Sequence, residues 1–308
     1  MKIIFMGTPD FAVPTLLELY NDKDIEISYV VTKADSKSNR GQKINYSDVK
    51  KKALELGLNL LQPEKIKSDI DAIDKIKKAN PDFIVVVAYG QILSKEILDI
   101  PKYACINGHA SLLPKYRGAS PIQSAILNGD EITGTTSMLM DVGLDTGDIL
   151  EQNSIEIDKK DTSDKLFEKL SILTAKTIHH TIKNFADLKR VKQDDNKATK
   201  AIIIKKEYGK IDFKNENKID IDRKIRAYTS WPSAYIDLNE KEKLKIWDVD
   251  IIEGDIDLSQ SKMLIDNIYI DGDALYAKCK DGYLKINQVQ KSGKNKMSSK
   301  DFINGLKI

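Results

Sequence analysis

The chain has 308 residues, 41% hydrophobic and 31% charged, with a net charge of +2. That is enough polypeptide for two domains with sizeable cores, and no apolar run approaches the ~20 residues needed to cross a bilayer. The two cysteines, Cys105 and Cys279, lie far apart in apolar runs, which argues for small buried hydrophobes and against a disulfide or a metal site. The N-terminal run MKIIFM gives way to Gly7-Thr8-Pro9-Asp10 too soon for the core of a signal peptide, so a cytoplasmic protein is expected.

In chain order, residues 2–6 predict a strand and 10–20 a helix opened by Thr8-Pro9-Asp10. A strand over 25–32 precedes a helix over 48–56, which Gly57 ends, and a short strand over 58–61. The helix predicted over 66–78 is stopped by Asn80-Pro81. Strands follow over 83–88 and 105–107, then a helix over 119–127 closed by Asn128-Gly129, then strands over 135–140 and 149–157. Residues 162–185 predict a long helix with an apolar stripe of Leu166, Phe167, Leu170, Leu173, Ile178, Ile182 and Phe185. This alternation predicts an α/β fold with a mostly parallel sheet between layers of helix.

Residues 186–210 carry few large apolar side chains apart from the run 201–204, and they read as a linker. From 189 to 210 eight basic residues face three acidic ones, and a second basic run covers 285–300. A solvated linker and tail is the plain reading of these runs; a polyanion-binding face is the sharper one. Beyond the linker, a helix over 218–227 precedes strand-like runs at 234–238, 244–252, 263–270, 274–279 and 283–289. Hairpin turns at Asn239-Glu240, Asp271-Gly272 and Asp281-Gly282 make these a small β-barrel.

The most chemically informative stretch is residues 83–118, FIVVVAYGQILSKEILDIPKYACINGHASLLPKYRG. Residues i and i+2 of a strand point to one face. Asn107 and His109 therefore project together at the carboxyl end of a strand, where open α/β sheets build their sites. An amide donor beside an imidazole suits a developing oxyanion and a proton in transit. The other two histidines, His179 and His180, lie late in the long helix and read as surface or C-terminal partners. A carboxylate to orient His109 is available in the loop 141–148, where Gly143 and Gly147 bracket Leu144-Asp145-Thr146. The residues alone do not choose between Asp141, Asp145 and Asp148. No G-x-G-x-x-G follows the first strand, which weighs against hydride transfer, and neither a P-loop nor a G-x-S-x-G elbow is present. Ser111 lies near His109, but nothing marks it as an activated nucleophile.

Five segments carry a resemblance: GTPDFA at 7–12, VVVAYGQIL at 85–93, INGHASLLPKYRGASPIQ at 106–123, MDVGLDTGDIL at 140–150 and IRAYTSWPSAYI at 225–236. Together they resemble the methionyl-tRNA formyltransferase family almost from end to end. The resemblance implies a Rossmann-like catalytic domain over 1–188, a basic linker over 189–207 and an OB-like, tRNA-binding barrel over 208–308. It implies transfer of a formyl group from 10-formyltetrahydrofolate to the α-amine of initiator methionyl-tRNA, for translation initiation, by a monomer without a metal. By motif position Asn107, His109 and Asp145 would be catalytic. Ser111, Leu112, Leu113 and Pro114 would line the folate site, with the backbone of Gln91, Ile92 and Leu93 at the pterin. Arg40 and Lys43, in a loop reading Arg40-Gly41-Gln42-Lys43, would meet tRNA together with Lys205 and Lys206. The chain departs from the family pattern at Gly108, where a β-branched residue is usual, in the linker ATKAIII at 198–204, which lacks the family's Tyr, and over residues 34–39.

Overall fold

The computed structural model describes residues 1–37, 44–240, 242–265 and 267–306. The chain divides into two compact units. One comprises Met1–Pro121, Ile132–Glu156 and Phe167–Ala201; the other comprises Ile122–Glu131, Ile157–Leu166 and Ile202–Ile308.

The first unit is built on a seven-stranded sheet of β1 (Lys2–Gly7), β2 (Glu26–Val31), β3 (Leu60–Leu61), β4 (Phe83–Val87), β5 (Ala104–His109), β6 (Ile132–Leu139) and β7 (Ile149–Glu156). The order is β7-β6-β5-β4-β1-β2-β3. The five strands from β3 to β5 run parallel, and β6 and β7 are antiparallel additions at one edge. All five residues of β4 are buried, as expected of a central parallel strand covered on both faces. On one face, Ile4, Met6, Ile84, Val86 and Cys105 share a core with Ile73, Ile76 and Ile97. On the other, Phe83 packs edge-on against Phe185, ring centroids 5.0 Å apart.

The helices are α1 (Val13–Asn21), α2 (Asp48–Glu55), α3 (Ile70–Ala79), α4 (Lys95–Leu98), α5 (Pro121–Asn128) and α6 (Ser163–Lys183); α5 beyond Pro121 and α6 up to Leu166 belong to the second unit. The helices predicted over 10–20 and 66–78 each begin as a separate 3-10 turn, Asp10–Ala12 and Ile66–Ser68. The second restarts because Asp69 caps α3, its carboxylate accepting the Ala72 N–H at 2.9 Å. The predicted stop is present: Asn80 closes α3 with φ +47°.

α6 lies unusually close to β5. A Cβ on Gly108 would stand 2.6 Å from Thr174 Cγ2 and 3.1 Å from Ile178 Cγ1. Gly108 thus faces the helix while its neighbours Asn107 and His109 face the other way. The Thr174 hydroxyl is also bonded to that of Thr135 on β6, at 2.9 Å.

The basic segment after α6 is threaded into the first unit. Val191 exchanges both backbone hydrogen bonds with Ile149, at 2.9 and 2.8 Å. Lys200–Ala201 pairs in parallel with Arg117–Gly118.

In the second unit, α7 (Lys218–Ala227) precedes β8 (Tyr235–Asp237), β9 (Lys243–Ile252), β10 (Lys262–Ile265), β11 (Ile268–Asp271), β12 (Ala274–Cys279), β13 (Gly282–Lys291), β14 (Met297–Ser298) and α8 (Ser299–Asn304). The sheet is antiparallel, ordered β8-β9-β13-β12-β11-β10 with β14 on β13. It curls as a half-barrel around a core of Ile221, Ile225, Ile246, Val249, Leu275, Leu284, Ile286 and Phe302. The single strand predicted over 263–270 is two strands, and Asn267 turns between them at φ +63°, a conformation that asparagine tolerates better than most residues. The terminal β14 and α8 are additional; Ser298 starts α8 by accepting the Asp301 N–H at 3.1 Å.

Candidate active site

β5 delivers Asn107 and His109 to its carboxyl end, and the loop after β6 brings Asp145 to them. The Asn107 amide donates to Asp145 Oδ1 at 3.4 Å. His109 Nδ1 lies 3.7 Å from Asp145 Oδ2, beyond hydrogen-bond length but within ion-pairing distance of a protonated ring. The Gly118 N–H donates to the same Oδ2 at 2.9 Å. The imidazole is 7% exposed and the carboxylate 13%, so both interact in a medium well below the dielectric of water.

The other ring nitrogen fixes the tautomer. His109 Nε2 is 2.9 Å from the Tyr116 carbonyl oxygen. A carbonyl only accepts, so Nε2 carries a proton and donates it. Nδ1 is therefore the nitrogen left facing Asp145.

Geometry separates the three candidate carboxylates. Asp141 is occupied inside its own loop, accepting from the Gly143 N–H at 3.0 Å and the Thr146 hydroxyl at 2.7 Å. Asp148 contributes its backbone, its carbonyl accepting the Leu139 N–H at 2.9 Å. Asp145 alone of the three reaches Asn107 and His109 among the described contacts. It does so with φ +54°, a left-handed conformation costing about 1–3 kcal/mol in a non-glycine residue and kept only when its surroundings hold it. Gly147 is the residue that lets the loop fold: a Cβ there would meet the Leu139 carbonyl oxygen at 1.8 Å.

What holds the loop comes from the segment that reads as a linker. Gln193 Nε2 donates to the carbonyls of Asp145 and Gly147, at 2.9 and 2.8 Å, and Gln193 Oε1 accepts from Arg117 Nε at 2.9 Å. The Tyr116 N–H donates to Thr199 Oγ1 at 2.8 Å, and Tyr116 itself sits at φ +61°. Tyr116 lies within the segment 106–123, but no motif marks Gln193 or Thr199 in the sequence; a lone glutamine and threonine in a basic stretch carry no periodicity.

Comparison with known proteins shows the family. A family model described as "Formyl transferase" matches residues 1–182, and one described as "Formyl transferase, C-terminal domain" matches residues 203–307. The methionyl-tRNA formyltransferase of Caldanaerobacter subterraneus subsp. tengcongensis is 43% identical over 310 residues, covering 100% of this chain and 98% of that protein. That of Caldicellulosiruptor saccharolyticus is 44% identical over 309 residues, covering 100% of this chain and 98% of that protein. The chain belongs to the methionyl-tRNA formyltransferase family. Among solved structures, WlaRD, a sugar 3N-formyl transferase determined in the presence of dTDP and 5-N-formyl-THF, shares the fold with a TM-score of 0.66 at 20% identity, over 96% of this chain and 99% of that one.

The other residues expected to serve a formyltransferase are placed as follows. Ser111 is fully buried, its hydroxyl donating to the Lys115 carbonyl at 2.6 Å, and Leu113 is 3% exposed with its N–H on the Thr136 hydroxyl at 3.0 Å. A hydroxyl so used is no nucleophile. These side chains shape the turn, and Leu112 is half-buried beside them. Gln91 accepts the Ile66 N–H at 2.9 Å, Leu93 is buried, and Ile92 is 77% exposed. Lys205 and Lys206 are exposed. Arg40 and Lys43 lie outside the described residues.

His179 and His180 stand on the surface of α6, paired with Asp22 at 2.7 Å and Glu151 at 2.9 Å. The hydrogen bond from His179 is the main reason the Asp22 carboxyl is held well below the usual carboxylate range. Burial pushes the Cys105 and Cys279 thiols up to about 12. Among the described residues, no group of three or more His, Cys, Asp or Glu side chains could hold a metal ion, and no helix is long and apolar enough to cross a membrane.

Proposed function

We propose that this enzyme transfers the formyl group of 10-formyltetrahydrofolate to the α-amino group of initiator methionyl-tRNA, as a cytoplasmic monomer supporting translation initiation. The observation that carries the proposal is the convergence of Asn107 and His109 on Asp145, at 3.4 and 3.7 Å, in a chain of this family. An amide donor and an imidazole beside a carboxylate fit the oxygen of a carbonyl group under nucleophilic attack. The neutral amine of the aminoacyl ester attacks the formyl carbon, and negative charge grows on the formyl oxygen. Asn107 Nδ2 and His109 Nδ1 donate to it. With Nε2–H committed to Tyr116, a ring that also donates from Nδ1 is the imidazolium, and Asp145 pairs with that charge. The amine gives up a proton, N10 of the folate gains one, and no covalent bond to the protein is formed.

The turn at Ser111, Leu112, Leu113 and Pro114 and the backbone of Gln91, Ile92 and Leu93 would form the folate side of the site. Arg40, Lys43, Lys205 and Lys206 would meet tRNA phosphates, with affinity falling as salt rises. The C-terminal half-barrel, residues 208–308, would be the tRNA-binding domain and 189–207 its basic linker to the catalytic domain, residues 1–188.

The competing acceptor is an amino sugar on a nucleotide, since the sugar formyltransferase WlaRD shares this fold. Identity of 43% and 44% along the whole chain to proteins named for methionyl-tRNA supports the tRNA reading over it. The deciding experiment offers the labelled donor with initiator methionyl-tRNA, elongator methionyl-tRNA and a dTDP-amino sugar in parallel. Label on the methionine of the initiator is expected; label on the sugar alone, or on no acceptor, refutes the proposal.

A further inference from the structure

We infer that Gln193 and Thr199, within the basic segment that reads as a linker, are positioning residues that hold Asp145 and the His109 ring in register for formyl transfer. The inference rests on the proposed reaction and adds to it the parts that set the site's geometry.

Gln193 is 6% exposed; two of its three described hydrogen bonds go to the loop that carries Asp145, and the third comes from Arg117. Arg117 can only donate, so its Nε fixes which end of the amide is the oxygen. The NH2 end is thereby aimed at the Asp145 and Gly147 carbonyls, one proton to each. This clamps the two backbone groups that flank Thr146 and keeps Asp145 in its left-handed conformation. Arg117 is in turn fixed by Asp195 at 2.8 Å and by its own N–H on the Thr199 carbonyl at 2.9 Å.

Thr199 does the same for the imidazole. Its hydroxyl accepts the Tyr116 N–H, and its own N–H reaches the Pro114 carbonyl at 3.3 Å. Tyr116 is thus held, again in a left-handed conformation, with its carbonyl directed at His109 Nε2. One segment of seven residues, Gln193 to Thr199, fixes both neighbours of the reacting groups. Neither side chain reaches Asn107, His109 or the Asp145 carboxylate in a described contact, so each acts through another residue.

The test compares Gln193→Met, Thr199→Val and Thr199→Ser in the full-length protein, with circular dichroism as the check on folding. Displacement of reacting groups by about 1 Å can lower turnover on the order of 10²-fold. Gln193→Met and Thr199→Val are expected to lose roughly 10- to 100-fold in kcat by that route, with KM for the formyl donor and for charged tRNA within about threefold. Thr199→Ser, which restores the hydroxyl, is expected to recover most of the loss. Nitrogen-edited NMR of the His109 ring supplies a readout independent of turnover: its signals are expected to move in Thr199→Val and stay in place in Thr199→Ser. Unchanged kcat in both Gln193→Met and Thr199→Val, or an equal loss in the valine and serine variants, overturns the inference. If the wild-type protein transfers no formyl group, the proposed function fails, and the ring signals alone decide the inference: no movement in Thr199→Val overturns it.

Discussion

Replacing Gly108 with alanine adds one methyl group where two elements leave no room for it. The new carbon would lie 2.6 Å from Thr174 Cγ2 and 3.1 Å from Ile178 Cγ1, against roughly 3.5–4.0 Å for carbons in contact. Relief requires α6 to move off β5 or Thr174 to rotate, and rotation breaks its hydroxyl bond to Thr135. Overpacking of this kind costs about 1–3 kcal/mol. Removing a glycine from regular structure offsets about 0.5–1 kcal/mol, leaving a net loss of about 1 kcal/mol at mid-range, within a span of roughly 0–2.5 kcal/mol. Thr174→Ser deletes the colliding carbon and keeps the hydroxyl, so Gly108→Ala/Thr174→Ser is expected to recover most of the stability. Tryptophan emission is the wrong probe, because both tryptophans, Trp231 and Trp247, lie in the second unit. Far-UV circular dichroism on heating, with hydrogen exchange of residues 104–109, reads the first unit. A Gly108→Ala protein as stable as wild type would refute the reasoning. So would a double variant whose loss is the sum of the single losses to within about 0.3–0.5 kcal/mol, since groups in contact should couple by more.

Other outcomes follow from the same structure. Asp145→Asn keeps an acceptor for the Gly118 N–H but removes the charge facing His109, so turnover is expected to fall by about 10²; turnover within a few-fold of wild type removes Asp145 from the proposed coupling. Arg40→Ala is expected to raise KM for charged tRNA well above any change in KM for the folate; equal changes argue against a tRNA contact there. Because burial pushes the Cys105 and Cys279 thiols up to about 12, iodoacetamide at pH 8 should label neither until the protein unfolds. The sign for stability is set by the unfolded thiol ionising first: the contribution of these groups is whole below pH about 8.5 and is lost as pH rises toward the folded value. Rapid labelling of the native protein would contradict the burial.

How much of this was legible in the sequence depends on what kind of interaction forms each part. The alternation of strand and helix, and the projection of Asn107 and His109 to one side of β5, follow from period-two and period-3.6 patterns, and both are present in the fold. The choice of Asp145 over Asp141 was not legible from spacing, because it turns on Asp141 being occupied by Thr146 and the Gly143 N–H. In the sequence Gly108 is only a departure from the family pattern; in three dimensions it is where α6 comes within reach of the sheet. The attachment of residues 191–201 to the first unit was not legible, because it is polar and irregular, through Gln193, Thr199 and a two-residue pairing, and such contacts leave no hydrophobic period. The strand predicted over 263–270 was too long because its turn at Asn267 carries neither glycine nor proline.

The most direct test of the central claim is single-turnover formyl transfer to initiator methionyl-tRNA by Asn107→Ala and His109→Ala, each verified as folded. The account predicts that each variant falls by about 10²–10³ relative to wild type. Transfer within a few-fold of wild type by either would contradict it.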